Sequence, residues 1–199
     1  MTLVIDAHNH LGGPDKGDGM SQNAEDIIAR MDAADVDVAI QEAKRCIELG
    51  LVGIKLHPKA QQFSIDDPTV YKIAEHVADV SPDIPIIFDN GKPASPNKLI
   101  GDLADVFPGL TFILAHMRGG DFIDVTRAHD NIFIQTTGMP GIDVVQECVD
   151  ELGADRVMMG SDSPYHSMEE EVRKVEALQL SERDKQMVFG GTAIKVLKI

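Results

Sequence analysis

Cysteine is scarce in this 199-residue chain, where only Cys46 and Cys148 occur. Both fall in stretches with helical patterning, so they read as buried free thiols and no disulfide scaffold is expected. Long apolar runs are missing too: none approaches the roughly 20 residues that a membrane-crossing helix needs. From Met1 the chain passes straight into a strand-like Leu3-Val4-Ile5, with no basic stretch leading into an apolar one. The expectation is therefore a cytoplasmic protein. Positive charge is short as well, with 18 Lys and Arg against 33 Asp and Glu, a formal net charge of −15. Such a surface repels nucleic-acid phosphates and anionic membranes, which argues against both as partners and leaves a small-molecule substrate. Nor is there a phosphate-binding loop, because Gly119-Gly120 and Gly190-Gly191 lack the spacing that motif requires.

What the chain does have is regular alternation. Its 43% hydrophobic content suffices for one core, so residues 1–199 read as a single domain. Strand-like runs at 3–8, 36–40, 52–57, 84–89, 110–116, 132–136 and 156–160 are separated by amphipathic, helical stretches. The helices fall at 23–34, 41–49, 70–80, 97–107, 122–128 and 144–152. Two more follow, 167–178 and one from 181 that breaks at Gly190-Gly191, with Thr192 placed to cap a last turn to Leu197. Gly50 suits a helix stop after 41–49. Alternating βα units with apolar strands predict an α/β fold, a parallel sheet covered by helices. A barrel and an open doubly wound sheet share that pattern. Chemistry spread over the C-terminal ends of many strands favours the barrel. With about seven strands where eight over ~250 residues are usual, it is a shortened one.

The chemistry-bearing residues sit at those strand ends. In Asp6-Ala7-His8-Asn9-His10, residues two apart share one face of a strand, so Asp6, His8 and His10 all look into a barrel. Two imidazoles at that spacing can bind one metal ion; a polar turn that happens to contain histidine is the plainer alternative. His116 ends the run Phe112-Ile113-Leu114-Ala115, Asp162 follows Met158-Met159-Gly160-Ser161, and Asp89 follows Ile86-Ile87-Phe88. His57 ends Gly53-Ile54-Lys55-Leu56, with Lys55 on the same face. Any one of these could be a hydrogen-bonded strand cap, but their joint recurrence is hard to assign to accident.

Four stretches carry a family resemblance: Asp6–His10, Gly-Ile-Lys-Leu-His-Pro at 53–58, Ala115-His116-Met117, and Gly-Ser-Asp-Ser-Pro at 160–164. In order along the chain, they resemble the amidohydrolase superfamily, in particular the branch of metal-dependent hydrolases and nonoxidative decarboxylases. The resemblance implies that His8 and His10 are metal ligands. It implies that Asp162 is a ligand or a base, and that His116 polarises the substrate or handles a proton. One divalent ion is implied, zinc first and manganese or iron next, activating a water for hydrolysis of a small organic substrate. Decarboxylation of a small aromatic or unsaturated acid is the alternative; a degenerate barrel that binds metal without catalysis is a third reading.

Two departures from the family pattern stand out. Asp89 occupies the place of a further histidine ligand; an aspartate there adds negative charge and favours harder ions, whether it binds directly or stands behind the ligands. The strand at 36–40 meets the helix at 41–49 almost directly, although βα loops usually take about 2–6 residues. This looks like an excised βα unit, which leaves an unpaired strand edge that a homodimer could cover. Lys55 and His57 are candidates to bind a substrate carboxylate, with an ion-paired barrel lysine as the plainer reading of Lys55. Arg118 can bind an anionic group or face solvent. His76 and His129 read as surface residues, and His166 as a residue of the pocket mouth.

Overall fold

The computed structural model describes residues 50–138, 141–163 and 165–199. The expected strands at 3–8 and 36–40, the helices at 23–34 and 41–49, and His8, His10 and Cys46 lie outside the described residues. Gly50 has φ +87°, the left-handed conformation expected of a helix-stopping glycine.

Five short strands form one parallel sheet: β1 (Ile54–Leu56), β2 (Ile86–Phe88), β3 (Phe112–Leu114), β4 (Ile132–Gln135) and β5 (Val157–Met158). Each pairs with the next in sequence, in the order β1-β2-β3-β4-β5. An open doubly wound sheet reverses its strand order at a switch point. No reversal occurs here, so the described sheet winds in one direction, as a barrel wall does. The strands are shorter than their apolar runs because hydrogen-bonded ladders end before the last residue of each run; Asp89 N still donates to Leu56 O at 3.1 Å beyond β2.

Strand periodicity divides the side chains into two sets. Leu56, Ile86, Phe88, Phe112, Leu114, Ile132, Ile134 and Val157 join the large core with the helices. Those helices are α1 (Pro68–Val80), α2 (Asn97–Val106), α3 (Phe122–Ala128), α4 (Ile142–Leu152) and α5 (Met168–Glu176). In α1 the buried set Val70, Ile73, Ala74 and Val77 follows helical spacing, Pro68 begins the first turn, and Asp67 accepts from Thr69 N at 2.8 Å. Cys148 lies on the buried face of α4, where burial and the Glu147 charge push its thiol up to about 12. This matches the expected inert thiol.

The opposite set, Ile113, Phe133 and Met158 with Ile87, packs against Ala193 and Val196 of the last helix. The chain reaches that helix through α6 (Glu182–Gln186) and a wide π turn, Met187–Gly191, before α7 (Thr192–Leu197). The expected break at Gly190-Gly191 is therefore a widened turn. Thr192 is not a cap; its hydroxyl donates to Ala154 O at 2.9 Å. A Cβ at Gly191 would stand 2.8 Å from Met187 Sδ, so a larger residue there would have to move the Met187 side chain. Together with the Lys198–Asp83 ion pair, these contacts hold α7 against the inward face of the described sheet, near the N-terminal ends of β2 and β5.

Two side chains fasten the loops at that same end. Arg156 Nη2 donates to the carbonyls of Thr126, His129 and Ile132 at 2.5–2.7 Å, and its guanidinium lies 5.4 Å from the centre of the Phe133 ring. Asn131 Nδ2 reaches the carbonyls of Ala104, Phe107 and Leu110. His129, expected on the surface, is half-buried: its Nδ1 bonds Val125 O at 2.7 Å and its ring rests on Gly101. His76 is half-buried as well. Among the described residues no helix is long and apolar enough to cross a membrane.

Arg156→Ala leaves three loop carbonyls without their donor, and charge-assisted bonds contribute about 1.5–3 kcal/mol each before overlap. We expect the unfolding free energy in urea to fall by about 2–4 kcal/mol with an unchanged denaturant slope. Arg156→Lys should recover little, because an ammonium cannot span the three carbonyls. Full recovery by lysine would contradict this.

Candidate active site

Register places Lys55 beside Ile87 and Ile113, on the interior face rather than the helix-facing one. His57 and Asp89, each two residues further along its strand, continue that face to the C-terminal end of the sheet. There Asp89 is the hub. It is 1% exposed, and its Oδ2 lies 2.9 Å from His57 Nε2 and 2.5 Å from Lys92 Nζ. Its Oδ1 lies 3.3 Å from His116 Nε2 and pairs with Arg118 Nη2. A carboxylate taken out of water is tolerated only when charges and donors of this kind replace the lost hydration.

The bonding settles the tautomer of His57. Ala60 N–H donates to Nδ1 at 3.1 Å, so that nitrogen carries a lone pair. The proton is therefore on Nε2 and is donated to Asp89. Gln61 fixes the same corner by accepting from His57 N at 2.7 Å. His116, 5% exposed, is neutral: burial pushes its pKa down to about 4. The Asp162 charge opposes that shift, the Lys55 and Lys92 charges reinforce it, and a hydrogen bond to the Thr137 backbone opposes it. Burial likewise lowers Lys92 and Arg118, against the pull of Asp162.

Asp162 follows β5 with φ +60°, a left-handed conformation uncommon outside glycine and tolerated by aspartate. Its turn is held by Ser163 N donating to Ser161 Oγ at 3.1 Å and by Tyr165 N donating to Asp162 O at 2.9 Å. The carboxylate stands 4.0 Å from Lys55 Nζ. Among the described residues, then, three cations (Lys55, Lys92 and Arg118) and two imidazoles converge on two carboxylates.

Beneath this cluster lies a neutral lock. Asn90 Nδ2 donates to His116 O and to Asn97 Oδ1, both at 2.8 Å, while Asn90 Oδ1 accepts from His116 N at 2.8 Å. Arg118 Nε donates to Asn90 O at 2.6 Å. Asn97 Nδ2 in turn reaches Arg118 O and Asp121 Oδ1, which ties the start of α2 to the loop after β3. The loops touch so closely that a Cβ at Gly91, where φ is +72°, would stand 2.5 Å from Arg118 O.

The structure thus brings Lys55, His57, Asp89, His116, Arg118 and Asp162 to one end of the sheet. His166 stands over the loop after β4, its ring against Gly138. Three participants escape sequence reading: Lys92, Asn90 and Asn97. Their one signal is position, since Asn90-Gly91-Lys92 directly follows Asp89. As for a divalent metal, neutral His116 and ionised Asp162 are in the protonation states that ligate one. Asp89 could enter a metal's shell only by releasing some of its four partners. Among the described residues no group of three acidic, histidine or cysteine side chains forms a metal cradle. They supply part of a donor set, and His8 and His10 lie outside them.

Comparison with known proteins places this geometry in context. A family model described as Amidohydrolase matches residues 20–199. The gamma-resorcylate decarboxylase of Rhodococcus jostii (strain RHA1) is 23% identical, aligned over 86% of this chain and 70% of that one. The alignment is 230 positions long against 199 residues here, so the relative carries segments without a counterpart in this chain. An uncharacterized TIM-barrel protein from Bordetella bronchiseptica superposes with a TM-score of 0.75 at 20% identity, over 96% of this chain and 76% of that one. A dihydroxybenzoic acid decarboxylase from Polaromonas sp. JS666, with bound manganese and the inhibitor 2-nitroresorcinol, gives 0.66 at 20% identity, over 82% and 66%. These likenesses establish the TIM-barrel type of α/β fold.

Gly91→Ala tests the lock. The added methyl must displace Arg118 and adopt a left-handed φ, so we expect a loss of about 1–3 kcal/mol in urea unfolding. Gly109→Ala, where a Cβ would meet nothing within 4 Å, serves as the control. Equal midpoints for the two variants would contradict the close approach.

Proposed function

The chain belongs to the amidohydrolase family, and from that premise we propose that it is a metal-dependent nonoxidative decarboxylase of a small hydroxylated aromatic acid. The observation that carries the reading is the convergence of Lys55, Lys92 and Arg118 beside a neutral His116, in a protein whose net charge is −15. Three cations set against two carboxylates in an otherwise acidic chain favour an anionic ligand, and a carboxylate is the anion that the decarboxylases among the relatives act on. The decarboxylase names among the relatives support this over hydrolysis, the first expectation from the sequence motifs.

In this reading His8, His10 and Asp162 would hold the divalent ion, joined by Asp89 where it releases its contacts to the His57 and His116 rings and keeps those to Lys92 and Arg118. When bound, the ion neutralises charge on the substrate's carboxylate and adjacent oxygen. Manganese is preferred to zinc here, because aspartate donors suit a harder ion. Lys92 and Arg118 bind the carboxylate and are themselves held in place by Asp89. The ring carbon bearing the carboxylate takes a proton; its bond to the carboxylate then breaks. That bond's electron pair restores the aromatic ring as neutral CO2 leaves. Asp162, at the open end of the sheet, is the acid–base group: it takes the proton that the ring hydroxyl gives up and delivers that proton to the ring carbon, so the product leaves as the phenolate with CO2. His116, kept neutral by burial, orients and polarises the ring hydroxyl.

The test is turnover. Protein loaded with manganese or zinc is incubated with 2,6-dihydroxybenzoate, 5-carboxyvanillate and a panel of esters, lactones and amides. Release of CO2 from an acid is expected. Cleavage of a lactone or amide with the acids untouched would return the reading to hydrolysis, and no turnover with any substrate would favour the non-catalytic barrel. For an acid that is turned over, Lys92→Met should raise KM about tenfold with little change in kcat, the loss of one charge-assisted bond. An unchanged KM would remove Lys92 from substrate binding.

A further inference from the structure

One buried acid takes no part in the cluster around Asp89. Glu171, in the first turn of α5, is only 2% exposed although it follows two exposed acids, Glu169 and Glu170. Its Oε1 accepts from Gly138 N at 2.9 Å and from Lys174 Nζ at 2.6 Å. Its Oε2 accepts from Thr136 Oγ1 at 3.2 Å. Residues 136 and 138 flank Thr137, whose backbone faces the His116 ring and favours its charged form against the burial that lowers its pKa. Thr136 Oγ1 also accepts from Gly160 N at 3.4 Å, two residues before Asp162. The backbone at Gly138 has φ +58°, and a Cβ there would meet the His166 ring at 2.3 Å.

These contacts form one chain of constraint. Glu171 holds both neighbours of Thr137, whose backbone faces the His116 ring, and through Thr136 it reaches the backbone that leads into the Asp162 turn. Helix α5 itself starts directly after the loop carrying Asp162 and His166, so its first turn joins the end of β4 to the loop after β5. We propose that Glu171 is a positioning residue for the catalytic pair, setting the ring orientation of His116 and the placement of Asp162 from behind the site. Lys174, three residues on along the helix, neutralises the buried carboxylate and makes the arrangement tolerable. The inference rests on the role given above to His116 and Asp162.

The test compares Glu171→Gln and Glu171→Ala in the metal-loaded protein, with two readouts. The first is the histidine ring region of the nitrogen–proton NMR spectrum, with the His116 signal identified by its absence in His116→Gln. The second is steady-state decarboxylation. Glu171→Ala should shift or broaden the His116 ring signal and lower kcat about ten- to a hundredfold, with KM within about twofold. Glu171→Gln keeps an oxygen for Gly138 N and should fall between wild type and alanine in both. A His116 signal unchanged in both variants, with loss confined to unfolding midpoints, would overturn the proposal. If alanine does not fold, glutamine decides alone. If no acid is turned over, the ring signal still decides whether Glu171 positions His116, separately from the decarboxylase reading.

Discussion

A strand presents alternate residues to opposite faces, and in a parallel sheet wrapped by helices each face has a different duty. Every described feature of this protein follows from that division. Phe88, Phe112 and Ile134 go outward into the helix layer, while Ile87, Ile113 and Phe133 go inward to meet α7. Continued beyond the ladder, the inward parity delivers Lys55, His57 and Asp89 to the open end of the sheet. The two ends thus specialise. One lies near α7 and is fastened by Arg156 and Asn131; the other is left polar and reactive. A shift of one residue in any strand register would exchange core and site residues, so the same packing that stabilises the fold also assembles the chemistry.

The polar end is organised by a cost. Withdrawing a carboxylate from water carries a penalty of several kcal/mol unless donors replace the hydration. Asp89 meets that demand with two imidazoles, an ammonium and a guanidinium, drawn from three separate loops. Three of those groups have a second contact: the His57 ring with Ala60 N, the Arg118 guanidinium with Asn90 O, and the His116 backbone with the Asn90 side chain. Donors held by second contacts of this kind can stabilise charge with little reorganisation.

Much of this was legible in the sequence, and the parts that were not share a physical reason. Periodicity located the described strands and helices, and strand-end position located His57, Asp89, His116 and Asp162. Periodicity alone fits a barrel and an open sheet equally, because both repeat the same βα unit; the spread of reactive residues over several strand ends pointed to the barrel, and the pairing order agrees. Lys92 carries no spacing signature, since a lysine in a loop looks alike whether it faces water or a buried acid. Glu171 stands in a run of three acids on a helix turn, where exposure is the ordinary reading. Its burial comes from the loop after β4, a contact with a sequence separation above 30 residues that no local pattern encodes. The widened turn at Met187–Gly191 was visible as a glycine pair, but its continuity into α7 depends on packing against β5.

Asp89 also explains why this site carries cations that a motif-level resemblance would not anticipate. Where the family pattern has a neutral histidine, a carboxylate adds a full negative charge at a buried position. Unless that charge is balanced, it would raise the carboxyl's own pKa, draw a proton and cease to act as an anion. The compensation is local: Lys92 lies three residues beyond Asp89, and Arg118 two residues beyond His116, so the acid's own loop and the loop after β3 each bring a cation. Acid and cations form one unit, and a substitution of either alone leaves a buried charge exposed to its full desolvation penalty. In the proposed function that coupling would tie substrate recognition to metal binding, because Asp89 answers both to the ion and to the two cations assigned to the carboxylate.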